Sequence, residues 1–382
     1  MLLAPVLLAG LLGPGSAAQA QSAPAAPPAL GGDALAARGT VVGAPAPPLP
    51  RTSASGVLVA DLESGQVLAA KDAHGRYAPA STIKTLTALA LLPRLDPDEQ
   101  VRPAFEDVGV DGSKVGVVST MRYPVHELMA AMLVVSGNDA AGALATAVGG
   151  TASAAQLMNA EAARLQARDT RAVNPSGLDA KGQVSSAYDL ALIARAGMAL
   201  PAFREHVATR TSSISAPKKK RIEIYNHNRL LHEYDGAIGI KNGYTDAARA
   251  SFVGAATRDG RTLVVTLLKA DPLVWREAAA LLDWGFAAVE AGAAPVGRLV
   301  DPLPEPRPAE QAAGALAAAP APALEAVTTS VPQPPVEDGG GAPWRALGVL
   351  GLLSAALVVR RRQVVVRRRQ RRAAPLPRAS RA

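Results

Sequence analysis

Strand-like patterning stands at both ends of one continuous region of this 382-residue chain, and helical patterning fills the stretch between. Residues 56–71, GVLVADLESGQVLAAK, alternate about Ser64-Gly65 and predict a β-hairpin. Residues 238–243 (IGIKNG), 250–257 (ASFVGAAT) and 261–269 (RTLVVTLLK) predict further strands, the last two joined at Asp259-Gly260. From 79 to about 200 the apolar spacing is helical, and 271–291 closes as an amphipathic helix. Strands at both ends with helices between imply one antiparallel sheet carrying an inserted helical subdomain. The expected fold class is α/β (α+β).

The flanks differ in composition. Residues 21–50 and 293–343 are rich in Pro, Ala and Gly and read as linkers, which leaves 51–292 as the folded domain. Residues 1–20 hold an apolar run at 2–12 and end on Ala18-Gln19-Ala20, the pattern of a signal peptide cleaved after Ala20. No basic residue precedes that apolar run, which departs from the usual pattern. Ala346–Val359 is apolar or small and lies between Trp344 and Arg360-Arg361-Arg362. Residues 344–360 therefore read as a transmembrane anchor, short of the roughly 20 residues a spanning helix usually takes. The arginines put the tail, 361–382, in the cytoplasm and the folded domain outside. A basic tail that touches RNA or anionic lipid is the competing reading.

Charge and cysteine content exclude several classes. The net +8 is concentrated: residues 360–382 hold 10 of the 40 basic residues and none of the 32 acidic ones. The rest is close to neutral and offers no nucleic-acid footprint. With no cysteine, the chain has no disulfide, no thiolate metal site and no cysteine nucleophile.

Three short patterns carry chemistry together. In PASTIKTLTALALLPRL, residues 79–94, Ser81 heads a buried helix and Lys84 lies one turn behind it on the same face. In LMAAMLVVSGNDAAGALA, 128–145, Ser136-Gly137-Asn138 forms a polar loop between helices, with the second helix starting at Asp139 and both side chains pointing out of the packing. In GAIGIKNGYTDAARASFVGAA, 236–256, Lys241 ends a strand before Asn242-Gly243. Each has a plain structural reading: a capping serine, a helix-to-helix turn, a hairpin turn. A second Ser-x-x-Lys, Ser215 to Lys218, lies in a loop with no helix to hold the pair, and Lys114-Val115-Gly116 follows no strand. A serine hydroxyl needs a base, and a lysine serves only when burial or a nearby cation makes it neutral. Lys241 could supply that fixed charge while binding an anionic substrate end. Ser136 could relay a proton, and Asn138 could orient Lys84.

With AHGRYAPASTIK (73–84), VNPSGLD (173–179), SSAYDLALIAR (185–195) and YNHNRLL (225–231), these patterns resemble the serine D-Ala-D-Ala carboxypeptidases of peptidase family S11, the low-molecular-mass penicillin-binding proteins. The resemblance spans about 52–290 and implies the penicillin-recognising serine transpeptidase/β-lactamase-like fold. It implies that Ser81 is acylated, that Lys84 is its base, and that Ser136 and Asn138 form the second catalytic element. It also implies that Lys241, Asn242, Gly243, Tyr244 and Thr245 bind substrate, with Ser81 and Tyr244 N–H groups as the oxyanion hole. Asn242 departs from the family's Lys-Thr-Gly, but its amide can still donate to a carboxylate. Implied partners are peptidoglycan stem peptides ending in D-Ala-D-Ala, β-lactam antibiotics and, through the anchor, the membrane, with no nucleic acid and no metal or cofactor.

Two rival functions remain. A serine β-lactamase shares the three patterns but needs a carboxylate for deacylation, usually in Glu-x-x-Leu-Asn, and that motif does not occur between 150 and 180, where Asn174-Pro175-Ser176-Gly177 lies instead. A non-catalytic wall-binding relative would use a degenerate site. A zinc protease is disfavoured because His126-Glu127 lacks the second histidine of H-E-x-x-H. Arg249 could reach an anionic ligand or be a plain surface charge.

Overall fold

Seven strands pair antiparallel across the chain's two ends in a computed structural model that describes residues 29–304. Strands β1 (Thr40–Val42), β2 (Gly56–Asp61) and β3 (Gln66–Lys71) come first, followed by helix α1 (Lys84–Leu91). The short pair β4 (Gln100–Val101) and β5 (Tyr123–Pro124) brackets α2 (Phe105–Val108). Helices α3 (Val125–Val134), α4 (Asn138–Ala147), α5 (Thr151–Arg164), α6 (Ala187–Ala199) and α7 (Pro201–Ala208) follow. A separate hairpin, β6 (Thr211–Ala216) and β7 (Lys220–Tyr225), precedes α8 (Leu230–Glu233). The chain returns to the sheet as β8 (Ala237–Thr245), β9 (Arg249–Arg258) and β10 (Arg261–Ala270), then α9 (Val274–Glu290) and β11 (Gly297–Arg298).

The sheet order is β1-β3-β2-β10-β9-β8, with β11 also on β3. N-terminal β2 therefore pairs with C-terminal β10, from Leu263 opposite Asp61 to Leu268 opposite Gly56. Strand β2 is buried at every position because both of its faces are covered. Val57 and Val59 pack with Leu281, Leu282 and Trp284 of α9, while Leu58 and Ala60 pack with the helical subdomain. This is the period of two read as a sandwich, and each fully buried leucine contributes about 2 kcal/mol. The β9–β10 turn is the expected Asp259-Gly260, with φ of +49° and +76°, a type I′ turn matched to strand twist.

Strand β8 forms the edge of the sheet and faces the inserted helices. Both expected hairpins and the helical insertion are present, and four boundaries differ. Residues 29–50 are not a tether. Leu35 is buried, β1 pairs with β3 from Thr40 opposite Lys71, and Trp284 Nε1 donates to the Pro47 carbonyl at 2.9 Å. The C-terminal boundary also moves outward, since β11 pairs with β3 and Leu299 is fully buried. Short apolar runs among Pro and Ala complete the sheet edge at β3, and composition concealed them. Strand β8 runs through Asn242-Gly243 to Thr245, so the loop begins four residues later than a hairpin turn at Asn-Gly would put it. Helix α4 begins at Asn138, one residue before the expected start. The expected signal peptide, anchor and cytoplasmic tail lie outside the described residues.

The two discarded motifs have structural duties. Glu127 is buried and accepts hydrogen bonds from Ser215 N (2.8 Å), Ser215 Oγ (3.1 Å) and Arg221 Nη1 (2.7 Å). It therefore clamps the β6–β7 hairpin onto α3, and Arg221 with the Ser215 donors holds its carboxyl below the usual range against the effect of burial. Ser215 sits within β6 rather than in a loop. Arg249 pairs with Asp271 at 2.9 Å on the surface.

Candidate active site

Ala80 takes a left-handed φ of +47°, and the chain then makes a 3-10 turn, Ala80–Ile83, that feeds α1. Ser81 thus lies inside a tight turn and does not cap the helix. The turn sits against β8: a Cβ on Gly243 would lie 2.6 Å from Ser81 N. Ser251 Oγ of β9 donates to the Pro79 carbonyl at 2.6 Å and ties the sheet to the same turn. Only a glycine lets strand and turn approach this closely.

Lys84, the first residue of α1, is wholly buried and directs its amine back toward Ser81. Its Nζ lies 2.9 Å from Ser81 Oγ and 2.7 Å from Asn138 Oδ1, and also contacts the Ser176 carbonyl. Burial drives the Lys84 pKa well below 10.5, and Lys241 lowers it further against the pull of Asp139. A neutral amine has two hydrogens and one lone pair. With Asn138 and Ser176 accepting the hydrogens, the lone pair is left for the Ser81 hydroxyl.

Asn138 is fixed from the other side, its Nδ2 donating to the Asp111 carbonyl at 2.7 Å. The next residue, Asp139, accepts backbone N–H groups of Val115 (3.0 Å), Gly116 (2.7 Å), Val117 (3.2 Å) and Ala140 (2.9 Å). Val115-Gly116-Val117, overlapping the Lys114-Val115-Gly116 pattern, is therefore a strap around Asp139. Ser136, at φ +61°, and Asn138 are 6% and 4% exposed, against the expectation that they point out of the packing. Asn138 reaches the Lys84 amine and Ser136 is buried, neither of which the periodicity of two neighbouring helices reveals.

Alternation along β8 puts Lys241 and Gly243 on the Ser81 side and Asn242 and Tyr244 on the other. Lys241 is buried, and its Nζ donates to the Asn242 carbonyl at 2.8 Å with Asn242 Oδ1 at 3.4 Å. Among the described residues the amide nitrogen of Asn242 has no hydrogen-bond acceptor. Burial also lowers the Lys241 pKa, to about 7, so it is not the permanent cation the sequence suggested. Tyr244 is half exposed, and a cavity of about 250 Å³ lies beside it, lined by His227, Asn242, Gly243, Phe252 and Trp275. Thr245 does not offer a free hydroxyl. It donates to Asp179 Oδ1 at 2.8 Å and accepts from Ala248 N at 3.0 Å.

The component missed by spacing is the Ser176 carbonyl. Its loop is stapled by Asn174 Oδ1, which accepts from Ser176 N (3.2 Å), Ser176 Oγ (3.0 Å) and Gly177 N (2.9 Å). Gln183 accepts from Val173 N (3.0 Å) and Asn174 N (2.9 Å) and donates to the Leu178 carbonyl (2.8 Å). Asn-x-x-Gly in 174–177 is the visible trace of this staple, but a backbone acceptor has no side-chain signature.

Serine, a buried lysine of lowered pKa, an amide and a second lysine thus converge on one cleft. A family model described as D-alanyl-D-alanine carboxypeptidase, peptidase S11, matches residues 42–272. The chain belongs to the S11 family. A D-alanyl-D-alanine carboxypeptidase of Mycobacterium tuberculosis is 44% identical over 247 residues, 63% of this chain and 84% of that one. One of Bacillus subtilis is 29% identical over 244 residues, 62% of each chain, so the present chain spans less than two thirds of that longer relative. The crystal structure of a Mycobacterium tuberculosis D-alanyl-D-alanine carboxypeptidase superposes with TM-score 0.64 at 41% identity, covering 69% of this chain and all of that one. A Streptomyces DD-transpeptidase superposes with TM-score 0.60 at 28% identity, covering 63% of this chain and 100% of that one. These S11 relatives carry the expected penicillin-recognising fold, and this chain shares it.

Proposed function

We propose that this S11 enzyme removes the terminal D-alanine from peptidoglycan stem peptides through an acyl-enzyme at Ser81. The observation that carries this reading is the buried Lys84 amine, 2.9 Å from Ser81 Oγ with its pKa depressed. Lys84 takes the Ser81 proton as Oγ attacks the carbonyl carbon of the penultimate D-alanine. Backbone N–H groups of Ser81 and Tyr244 receive the oxyanion. The proton passes through Ser136 to the amine of the terminal D-alanine as the C–N bond breaks. Water then attacks the ester, giving one proton to Lys84, which returns it to Ser81 Oγ as the shortened peptide leaves. Lys241, on the Ser81 side of β8, holds the terminal carboxylate.

Penicillins present a strained amide and a carboxylate to the same groups, so a fluorescent penicillin tests the assignment. Digestion of the labelled protein should give one labelled peptide, containing Ser81. Label at Ser215, or none, would overturn it. The label should leave slowly, because Lys84 adjoins the Ser176 carbonyl where a β-lactamase would need a carboxylate for its water.

Lys241 makes the binding step proton-linked. With a pKa of about 7, the free enzyme at pH 8 holds Lys241 mostly neutral. A bound carboxylate favours the ammonium and raises that pKa, so binding takes up protons. Calorimetry of a carboxylate inhibitor at pH 8, in buffers of different ionisation enthalpy, should read an uptake approaching one proton. Zero uptake would contradict the pairing.

Residues 1–20 and 344–360 support an exported enzyme held at the membrane, by the sequence patterns above. Among the described residues no helix is long and apolar enough to cross a membrane.

A further inference from the structure

Beside the Ser81 turn, opposite the Lys241 end of the cleft, lies a cavity of about 290 Å³. Pro79, Ala80, Gly177, Asp179, Lys181 and Ala247 line it. Its position along β8 gives it a meaning that rests on the proposed function. A substrate laid antiparallel to edge strand β8 has its C-terminal carboxylate at Lys241 and its scissile carbonyl at Ser81 beside Gly243. Each residue further upstream moves about 3.4 Å toward Thr245 and the turn that follows. The residue before the penultimate D-alanine therefore arrives at this cavity.

The walls carry two opposite charges, neither in an ion pair among the described residues. Lys181 is exposed and makes no ion pair or hydrogen bond among the described residues. Asp179 receives only the Thr245 hydroxyl, at 2.8 Å, and has no cation partner among those residues. The two stand two residues apart on a loop that Asn174 and Gln183 hold rigid, yet they do not pair with each other. Thr245 also ties Asp179 to the end of β8, so the carboxylate keeps a fixed place relative to a bound strand.

We infer that this cavity selects a stem peptide whose third residue ends in both an ammonium and a carboxylate, as diaminopimelate does. The ammonium meets Asp179 and the carboxylate meets Lys181. A third-residue lysine satisfies Asp179 alone and sets a second cation against Lys181. Exposed charge pairs are individually weak, so the combined discrimination is on the order of tenfold in kcat/KM.

Two synthetic pentapeptides that differ only in this residue, L-lysine or meso-diaminopimelate, give the test with the full chain. The unaltered enzyme should favour the diaminopimelate peptide about tenfold. Lys181→Ala should bring the ratio near one, and Lys181→Glu should invert it toward lysine. Equal rates in the unaltered enzyme, or a preference kept in Lys181→Ala, would overturn the inference. Penicillin acylation of Ser81 reports separately, since penicillin has no such side chain. If acylation fails, the Ser81 assignment falls; if acylation proceeds but the peptides react equally, only the selection falls. Melting temperatures matching the unaltered chain exclude misfolding of either variant.

Discussion

Ser81→Ala is expected to slow D-alanine release by at least about 10,000-fold. The variant keeps the cleft, the Lys241 end and the cavity walls, so peptide should still bind while no acyl-enzyme accumulates. Release of D-alanine by a coupled assay and penicillin labelling should vanish together. The internal control is Ser215→Ala, which alters the other Ser-x-x-Lys of the chain. Ser215 bonds Glu127 in the β6–β7 hairpin, and its variant should retain release within a few-fold. Equal loss in both variants would dismiss the assignment. The contrast isolates geometry from composition: both serines precede a lysine by three residues, and only Ser81 has that lysine returned to it by a helix.

Gly177→Ala should be nearly as damaging, although Gly177 has no side chain to react. Its φ is +87°, which costs an alanine about 1–2 kcal/mol. The added Cβ would lie 2.1 Å from the Ala80 carbonyl oxygen and 2.9 Å from Ser81 N. Both are backbone atoms, so no side chain can swing aside. Either the Ser81 turn or the loop presenting the Ser176 carbonyl must shift, and a shift of about 1 Å in a reacting group costs on the order of 100-fold. We expect acylation by penicillin to fall at least that far. Gly292→Ala supplies the comparison, since Gly292 also has positive φ, +74°, but nothing lies within 4 Å of the added atom. It should lose a little stability and keep its acylation rate. Acylation surviving in Gly177→Ala would show that the loop does not set the nucleophile's position.

Much of the site was readable because its parts sit on regular elements. The Ser81–Lys84 spacing, the strand that carries Lys241 and the paired hairpins each follow from local periodicity. The Ser136–Asn138 loop was visible as a break between two apolar helices, but its burial was not. What spacing could not supply were contacts made by backbone atoms, above all the Ser176 carbonyl on Lys84. Thr245 was assigned to substrate on resemblance, whereas its hydroxyl is engaged by Asp179, a residue 66 positions earlier in the chain. The flanks failed for a different reason. Three residues of β1 and two of β11 gain their stability from pairing with β3, and too little apolar sequence marks them against Pro and Ala.

Sequence by itself determined the local order: which residues alternate, where the turns fall, and that a hydroxyl and an amine share one helical face. Tertiary structure alone decided the basicity of that amine. Burial beneath segments distant in sequence, with Asn138 and Ser176 packed against the Lys84 Nζ, drives its pKa well below the usual 10.5, and Lys241 lowers it further. Desolvation depends on everything that surrounds an atom, and no run of neighbouring residues encodes it.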